Sequence, residues 1–216
     1  MQTRIAEELT ERPLAGRREK AATEVDAILA AGEVVLARQG FGGLRVEDVL
    51  AEAGLSTRAF YRHFRGKSEL FLALFDRESA RADSRLRAKI ARAGEDPVAR
   101  VRAWIEATIA LAFDPRLARR TRLFGRERHE ITSEFPEQVA RCVQVVRAPL
   151  EAAIADGRDD GSFPGADPEK DALAIHHVCA GLGADRLDGT TSLDRSEASA
   201  LVERFALTTL RNGESR

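Results

Sequence analysis

Arg58, Arg62 and Arg65, with His63 able to become a fourth cation, lie in a stretch from Ala53 to Gly66 that contains no carboxylate. Positive groups at helical spacing with nothing beside them to neutralise them suit a polyanion, such as the phosphate backbone of a nucleic acid. Leu55, Ala59, Phe60 and Phe64 recur at helical spacing and would face a core, which leaves Thr57, Arg58, Tyr61, Arg62 and Lys67 on the opposite face. Gly54 permits a tight turn between two short helices. Ser56 can cap the second of them by accepting a hydrogen bond from a first-turn amide. A solvated amphipathic helix would show the same composition, so the flanking sequence has to discriminate.

It does so by supplying the elements that would position this helix. Residues 27–40 place Ile28, Leu29, Val35 and Leu36 on an apolar stripe and end at Gly40-Phe41-Gly42-Gly43. Val46, Val49, Leu50 and Ala53 then repeat at i, i+3, i+4 and i+7, with Glu47 and Asp48 favourably placed in the first turn. Three short helices, the last two joined by a glycine turn, make a compact helix-turn-helix headpiece.

Over residues 24–74 the chain resembles the TetR (tetracycline-repressor-like) family of transcriptional regulators. The resemblance is carried by Gly40-Phe41, by the run V-E-D-V-L-A-E-A-G-L-S from Val46, by F-Y-R-H-F from Phe60 and by G-K-S-E-L-F from Gly66. It implies that Thr57, Arg58 and Ala59 face the major groove with Arg62 near it. Ser56, Tyr61, His63 and Lys67 would mostly hold phosphates, which set position while bases set specificity. Two positions depart from the family pattern. Arg45 stands where a threonine or serine usually caps the second helix; it can still reach a phosphate, but it has no side-chain oxygen with which to cap. Arg58 stands where a glycine or small residue is usual. It can donate two hydrogen bonds to a guanine, which the operator is then expected to carry near the start of the recognition helix.

With 216 residues there is room for a second helical domain behind the headpiece. The 34 Lys and Arg are balanced by 35 Asp and Glu, so the nucleic-acid inference rests on local patterning and not on net charge. Cys142 and Cys179 have neither CxxC nor metal-ligand spacing, which fits reduced thiols in a cytoplasmic protein. Residues 1–17 are polar, include Pro13 and Gly16, and read as a flexible arm; Arg17, Arg18 and Lys20 beside it could touch DNA or simply be solvated. The charged start is not a signal peptide. No apolar run approaches the roughly 20 residues that would span a bilayer.

Past the headpiece, Asp96-Pro97, Asp114-Pro115 and Asp167-Pro168 each pair a capping carboxylate with a proline suited to a first helical turn. The pattern predicts helices over residues 67–92, 97–111, 115–127, 134–156, 168–187 and 194–210, with a loop over 157–165. Asp194 and Glu197 have capping-box spacing. The expected fold is all-α with about nine helices. Its domains are an arm (1–17), a helix-turn-helix DNA-binding domain (18–66) and a helical effector-binding and dimerisation domain (67–216).

The resemblance implies a small-molecule pocket in the last domain and a homodimer through the eighth and ninth helices. A palindromic double-stranded DNA operator is then the expected partner. Leu173, Ala174, His177, Val178, Gly181 and Leu182, with Leu201, Val202, Phe205 and Leu207, supply apolar and small residues for such pairing, although an internal core would use the same types. Candidate pocket residues are Trp104, Thr108, Leu111, Phe113, Leu123, Phe124, His129, Val143, Val146, His176 and His177, each also suited to a core. Their apolar character points to a lipophilic or aromatic effector. Adjacent His176 and His177 diverge by about 100° on a helix and do not make a metal pair. No catalytic motif is present, no cofactor is implied, and the expected activity is ligand-released repression without catalysis.

Overall fold

The computed structural model describes the backbone of residues 4–125 and 128–212 and the side chains of 16–125 and 131–212. Among the described residues all regular structure is helical, in ten helices. The chain divides into two compact units, Met1–Leu74 and Phe75–Arg216.

In the first unit α1 (Arg4–Gly43) begins inside the segment expected to form an arm, and Arg17, Arg18 and Lys20 on it are exposed. It leaves helical geometry at Gly40, where φ 69 and ψ 178 describe a backbone that only glycine adopts without strain. The turn that follows delivers α2 (Val46–Ala53), and Gly54 in the left-handed region, φ 65 and ψ 30, reverses the chain into α3 (Thr57–His63). Ile28, Leu29, Val35 and Leu36 of α1 are buried, as are Val49 and Leu50 of α2 and Phe60 of α3, with Phe64 just beyond it. The start of α4 (Lys67–Arg92) completes this core. Leu70, Phe71 and Leu74 are at most 1% exposed, and Phe71 packs against Phe41 with ring centroids 4.6 Å apart and the rings tilted by 56°. Residues 67–74, assigned above to the second domain, therefore cluster with the first unit.

The second unit is organised around α5 (Pro97–Phe113), whose Val101, Trp104, Ile105 and Ile109 are at most 1% exposed. Around it pack α8 (Pro136–Asp159) through Leu150, Ala153 and Ile154, α9 (Pro168–Asp188) through Ala172, Ile175 and Cys179, and α10 (Arg195–Asn212) through Ala198, Val202 and Leu210. The aspartate caps act as their spacing predicts. Asp96 accepts from the Val98 amide at 3.0 Å, Asp114 from Arg116 at 2.8 Å and Asp167 from Lys170 at 3.2 Å. Asp194 and Glu197 close a reciprocal capping box at 2.9 and 2.8 Å.

The helix expected over 134–156 begins two residues later, and a short helix stands before it, largely over residues for which none was expected. α6 (Pro115–Gly125) is followed by α7 (Arg128–Glu134), and the chain breaks at Phe135, with φ -131 and ψ 57, before α8 starts at Pro136. The cause is local: a proline ring disfavours helical geometry in the residue before it. α8 also runs on through Gly157 into the predicted loop, because Phe163 folds back beneath it and is fully buried. No helix among the described residues is long and apolar enough to cross a membrane.

Candidate functional site

In the first unit α3 exposes Thr57, Arg58, Tyr61 and Arg62, with Tyr61 58% accessible. Arg58 makes no hydrogen bond or ion pair among the described residues, so its guanidinium is available to an external acceptor. Ser56 caps the helix, its hydroxyl accepting from the Ala59 amide at 3.3 Å. Ala59, placed in the groove by resemblance, is instead 5% exposed, since its register beside Phe60 turns it into the core. Arg45 is exposed at the N-cap of α2 in extended geometry and provides no side-chain cap.

Of the side chains expected to hold phosphates, three have internal partners. Besides the Ser56 cap, Lys67 Nζ donates to the Phe41 carbonyl at 3.4 Å and lies 4.3 Å over the Phe41 ring. His63 is 11% exposed, with Nε2 2.8 Å from Glu24 Oε2. Arg62 Nη1 donates to the same oxygen at 2.7 Å. The His63 hydrogen bond and the Arg62 charge hold the Glu24 carboxyl below the ordinary glutamate range, although its partial burial works the other way. Tyr61 stands clear, its ring edge-on to Phe60 at 5.3 Å. Glu24 was invisible to the motif, being 38 residues from Arg62.

The second unit contains a cavity of about 370 Å³ between α5, α6, α8 and α9. A smaller one of about 170 Å³ adjoins it and shares Leu111, Thr121, Gly125, Val146 and His176. Among the candidate pocket residues, Thr108, Leu111, Val146 and His176 line the larger cavity, and Phe124 and Val143 line the smaller. The Thr108 hydroxyl is buried with no hydrogen-bond partner among the described residues, and it shares the cavity wall with Thr121, Arg122, His176 and Asp188. Four candidates stand elsewhere. Trp104 is a core strut, fully buried, its indole N–H donating to the Val146 carbonyl at 3.0 Å. Phe113 is buried with Arg186 over its ring, Leu123 is half-buried off both cavities, and His177 is exposed, Nδ1 2.7 Å from the Leu173 carbonyl. The side chain of His129 lies outside the described residues.

The motif also passed over Thr121, Arg122, Cys179, Gly183 and Asp188, which line the larger cavity. Gly183 allows a close approach of α9 to α5 there: a Cβ would sit 3.3 Å from that of Ala112. Burial pushes the Cys179 thiol up to about 12, and burial with a hydrogen bond to Asp76 pushes Cys142 up to about 11. Both are protonated at neutral pH and at most 4% exposed. Iodoacetamide at pH 7.5 should therefore leave the native protein unmodified over a time in which the urea-unfolded chain gains two adducts by mass spectrometry. Rapid labelling of the native protein would contradict this assignment. Among the described residues no cluster of His, Cys, Asp and Glu could hold a metal.

Residues 28–74 match the family model for bacterial regulatory proteins of the tetR family. The HTH-type transcriptional regulator EthR of Mycolicibacterium smegmatis is 30% identical over 146 residues, a match covering 67% of this chain and 65% of that protein. In fold the chain is similar to a Rhodococcus sp. protein described as a TetR-family transcriptional regulator, with TM-score 0.70, 22% identity, and coverage of 88% of this chain and 99% of that one. It is also similar to the transcriptional regulator FadR from Bacillus subtilis in complex with stearoyl-CoA, with TM-score 0.67, 16% identity, and coverage of 87% and 98%.

Proposed function

Because this chain belongs to the TetR family of bacterial regulatory proteins, we propose that it is a homodimeric repressor released from a palindromic operator by a small lipophilic or aromatic effector. The observation that carries this reading is the solvent-facing side of α3, where Thr57, Arg58, Tyr61 and Arg62 stand exposed on a helix with no carboxylate of its own. Arg58 and Arg62 read base edges, and Arg45 and Tyr61 reach the backbone.

Pairing of two copies is supported by an apolar outer surface on α9 and α10. Leu173, Leu201 and Phe205 are 40%, 37% and 44% exposed, and the exposed small residues Ala174 and Gly181 of α9 permit close approach of another helix. Two recognition helices about 34–36 Å apart then meet successive major grooves on one face of the duplex.

The mainly apolar cavity, with Thr108, Thr121, Arg122, His176 and Asp188 on its wall, supports an effector with an apolar body and a polar group. That the similarly folded FadR was solved in complex with stearoyl-CoA, a molecule with a long acyl chain, supports an effector with an apolar part. α4 begins in the first unit and continues into the second, so it is the covalent path between cavity and headpiece. The effector weakens operator binding by the same free energy with which the operator weakens effector binding.

The test is binding of the full chain to the DNA upstream of its own gene, against a scrambled duplex, at 50 and 200 mM salt. A regulator making 6–10 phosphate contacts should prefer the upstream DNA and lose about 10³- to 10⁵-fold in affinity over that range. Equal, shallow binding to both duplexes would overturn the reading. Saturation with long-chain acyl or aryl acids should raise the dissociation constant if one of them is the effector class.

A further inference from the structure

Residues 53–66 contain no carboxylate, yet the fold imports one into this helix from α1. Glu24 is 12% exposed, and its Oε2 takes Arg62 Nη1 at 2.7 Å and His63 Nε2 at 2.8 Å, the last two residues of α3. An ionised carboxylate only accepts hydrogen bonds, so His63 must present Nε2–H, with Nδ1 on the far side of the ring.

A negative charge beside a phosphate-binding surface opposes DNA binding by simple repulsion. What it supplies in return is geometry. Arg62 is 51% exposed, and its long side chain would otherwise sample many rotamers. With one of five guanidinium donors tied to Glu24, the planar group is held in one orientation and the other donors remain available. His63, buried against the same oxygen, pins the carboxylate in turn.

We propose that Glu24 is a positioning residue for base recognition: its carboxylate, clamped between Arg62 and His63, fixes the orientation in which Arg62 meets the operator, at the expense of sequence-independent affinity. The proposal rests on the reading of Arg62 as a base contact. It requires that removing the charge act in opposite directions on two measurable quantities.

The experiment uses the full chain as wild type, Glu24→Gln, Arg62→Ala and the double variant. Each is titrated with an operator selected from a random duplex library by the wild-type protein, with its single-base substitutions, and with a scrambled duplex. Arg62→Ala should abolish discrimination at one base step per half-site. Glu24→Gln should lower discrimination at that same step by about 10-fold, a part of what a bidentate arginine supplies, while scrambled-duplex affinity rises. In the Arg62→Ala background, Glu24→Gln should cause no further loss of discrimination.

If Glu24→Gln tightens every duplex equally, Glu24 is only a charge and the proposal fails. If it weakens every duplex equally and lowers the melting temperature, Glu24 is only a structural clamp, and the proposal fails again. Should Arg62→Ala leave all base preferences intact, the reading of Arg62 falls first and takes this inference with it. A lost preference in Arg62→Ala beside an intact one in Glu24→Gln condemns the role of Glu24 alone.

Discussion

Replacing Gly157 by alanine is expected to lower the thermal unfolding midpoint by about 4–8 °C, the result of roughly 2 kcal/mol of net destabilisation in a chain of this size. A Cβ at this position would stand 2.2 Å from Cδ2 and 2.6 Å from Cε2 of Phe163. The ring cannot yield cheaply: Phe163 is fully buried, and its amide donates to the Gly157 carbonyl at 2.7 Å. Alanine gains about 1 kcal/mol of helix propensity over glycine within α8, which opposes the clash without cancelling an overlap of this depth. Differential scanning calorimetry reads the outcome, and an unchanged or raised midpoint would contradict the packing. Adding Phe163→Leu should recover part of the loss by freeing the space, whereas additive losses would mean that Phe163 does not cause the effect.

Arg58→Ala is expected to erase a base preference without erasing binding. Arg58 is exposed and makes no hydrogen bond or ion pair among the described residues, unlike Arg62, so truncating it disturbs nothing inside the protein. If it donates two hydrogen bonds to a guanine, the variant should lose about 1–3 kcal/mol of discrimination, roughly 5- to 150-fold, at one base pair of each half-site. Titration of a selected operator with single-base substitutions reads this directly. An equal loss at every position would reduce Arg58 to a phosphate contact, because phosphates carry no sequence information. The same titrations would show whether the operator carries the guanine that this position calls for.

The features legible in the sequence are those made by residues close together along it. Gly54 in the left-handed region, the Ser56 cap and the capping box of Asp194 and Glu197 each span no more than a helical turn. Their residue types suffice to announce them. The break at Phe135 was equally local, and Pro136 was its signal; starting the helix at Glu134 overlooked the restriction that proline places on its neighbour. Apolar periodicity found the core faces of α1 and α2 correctly, and it turned Ala59 inward where the resemblance had turned it outward.

Other features were decided by tertiary structure. The cavity in the second unit draws Thr108 from α5, Thr121 from α6, Val146 from α8 and Cys179 from α9, residues with no shared motif. Trp104, the most conspicuous residue of the candidate pocket, became a strut because its N–H found a carbonyl 42 residues away. Glu24 entered the recognition surface from an equally remote point of the chain.

By itself, then, the sequence determined nine of the ten helices among the described residues, most of their ends and the cationic face of α3, including the exposed Arg58. Those properties follow from backbone propensity, capping and periodicity within a few residues. Only the tertiary structure decided that the face carries a carboxylate, that Arg62 is held while Arg58 is available, and which side chains surround the cavity. Such contacts join residues tens of positions apart, and their geometry exists only once the helices have packed.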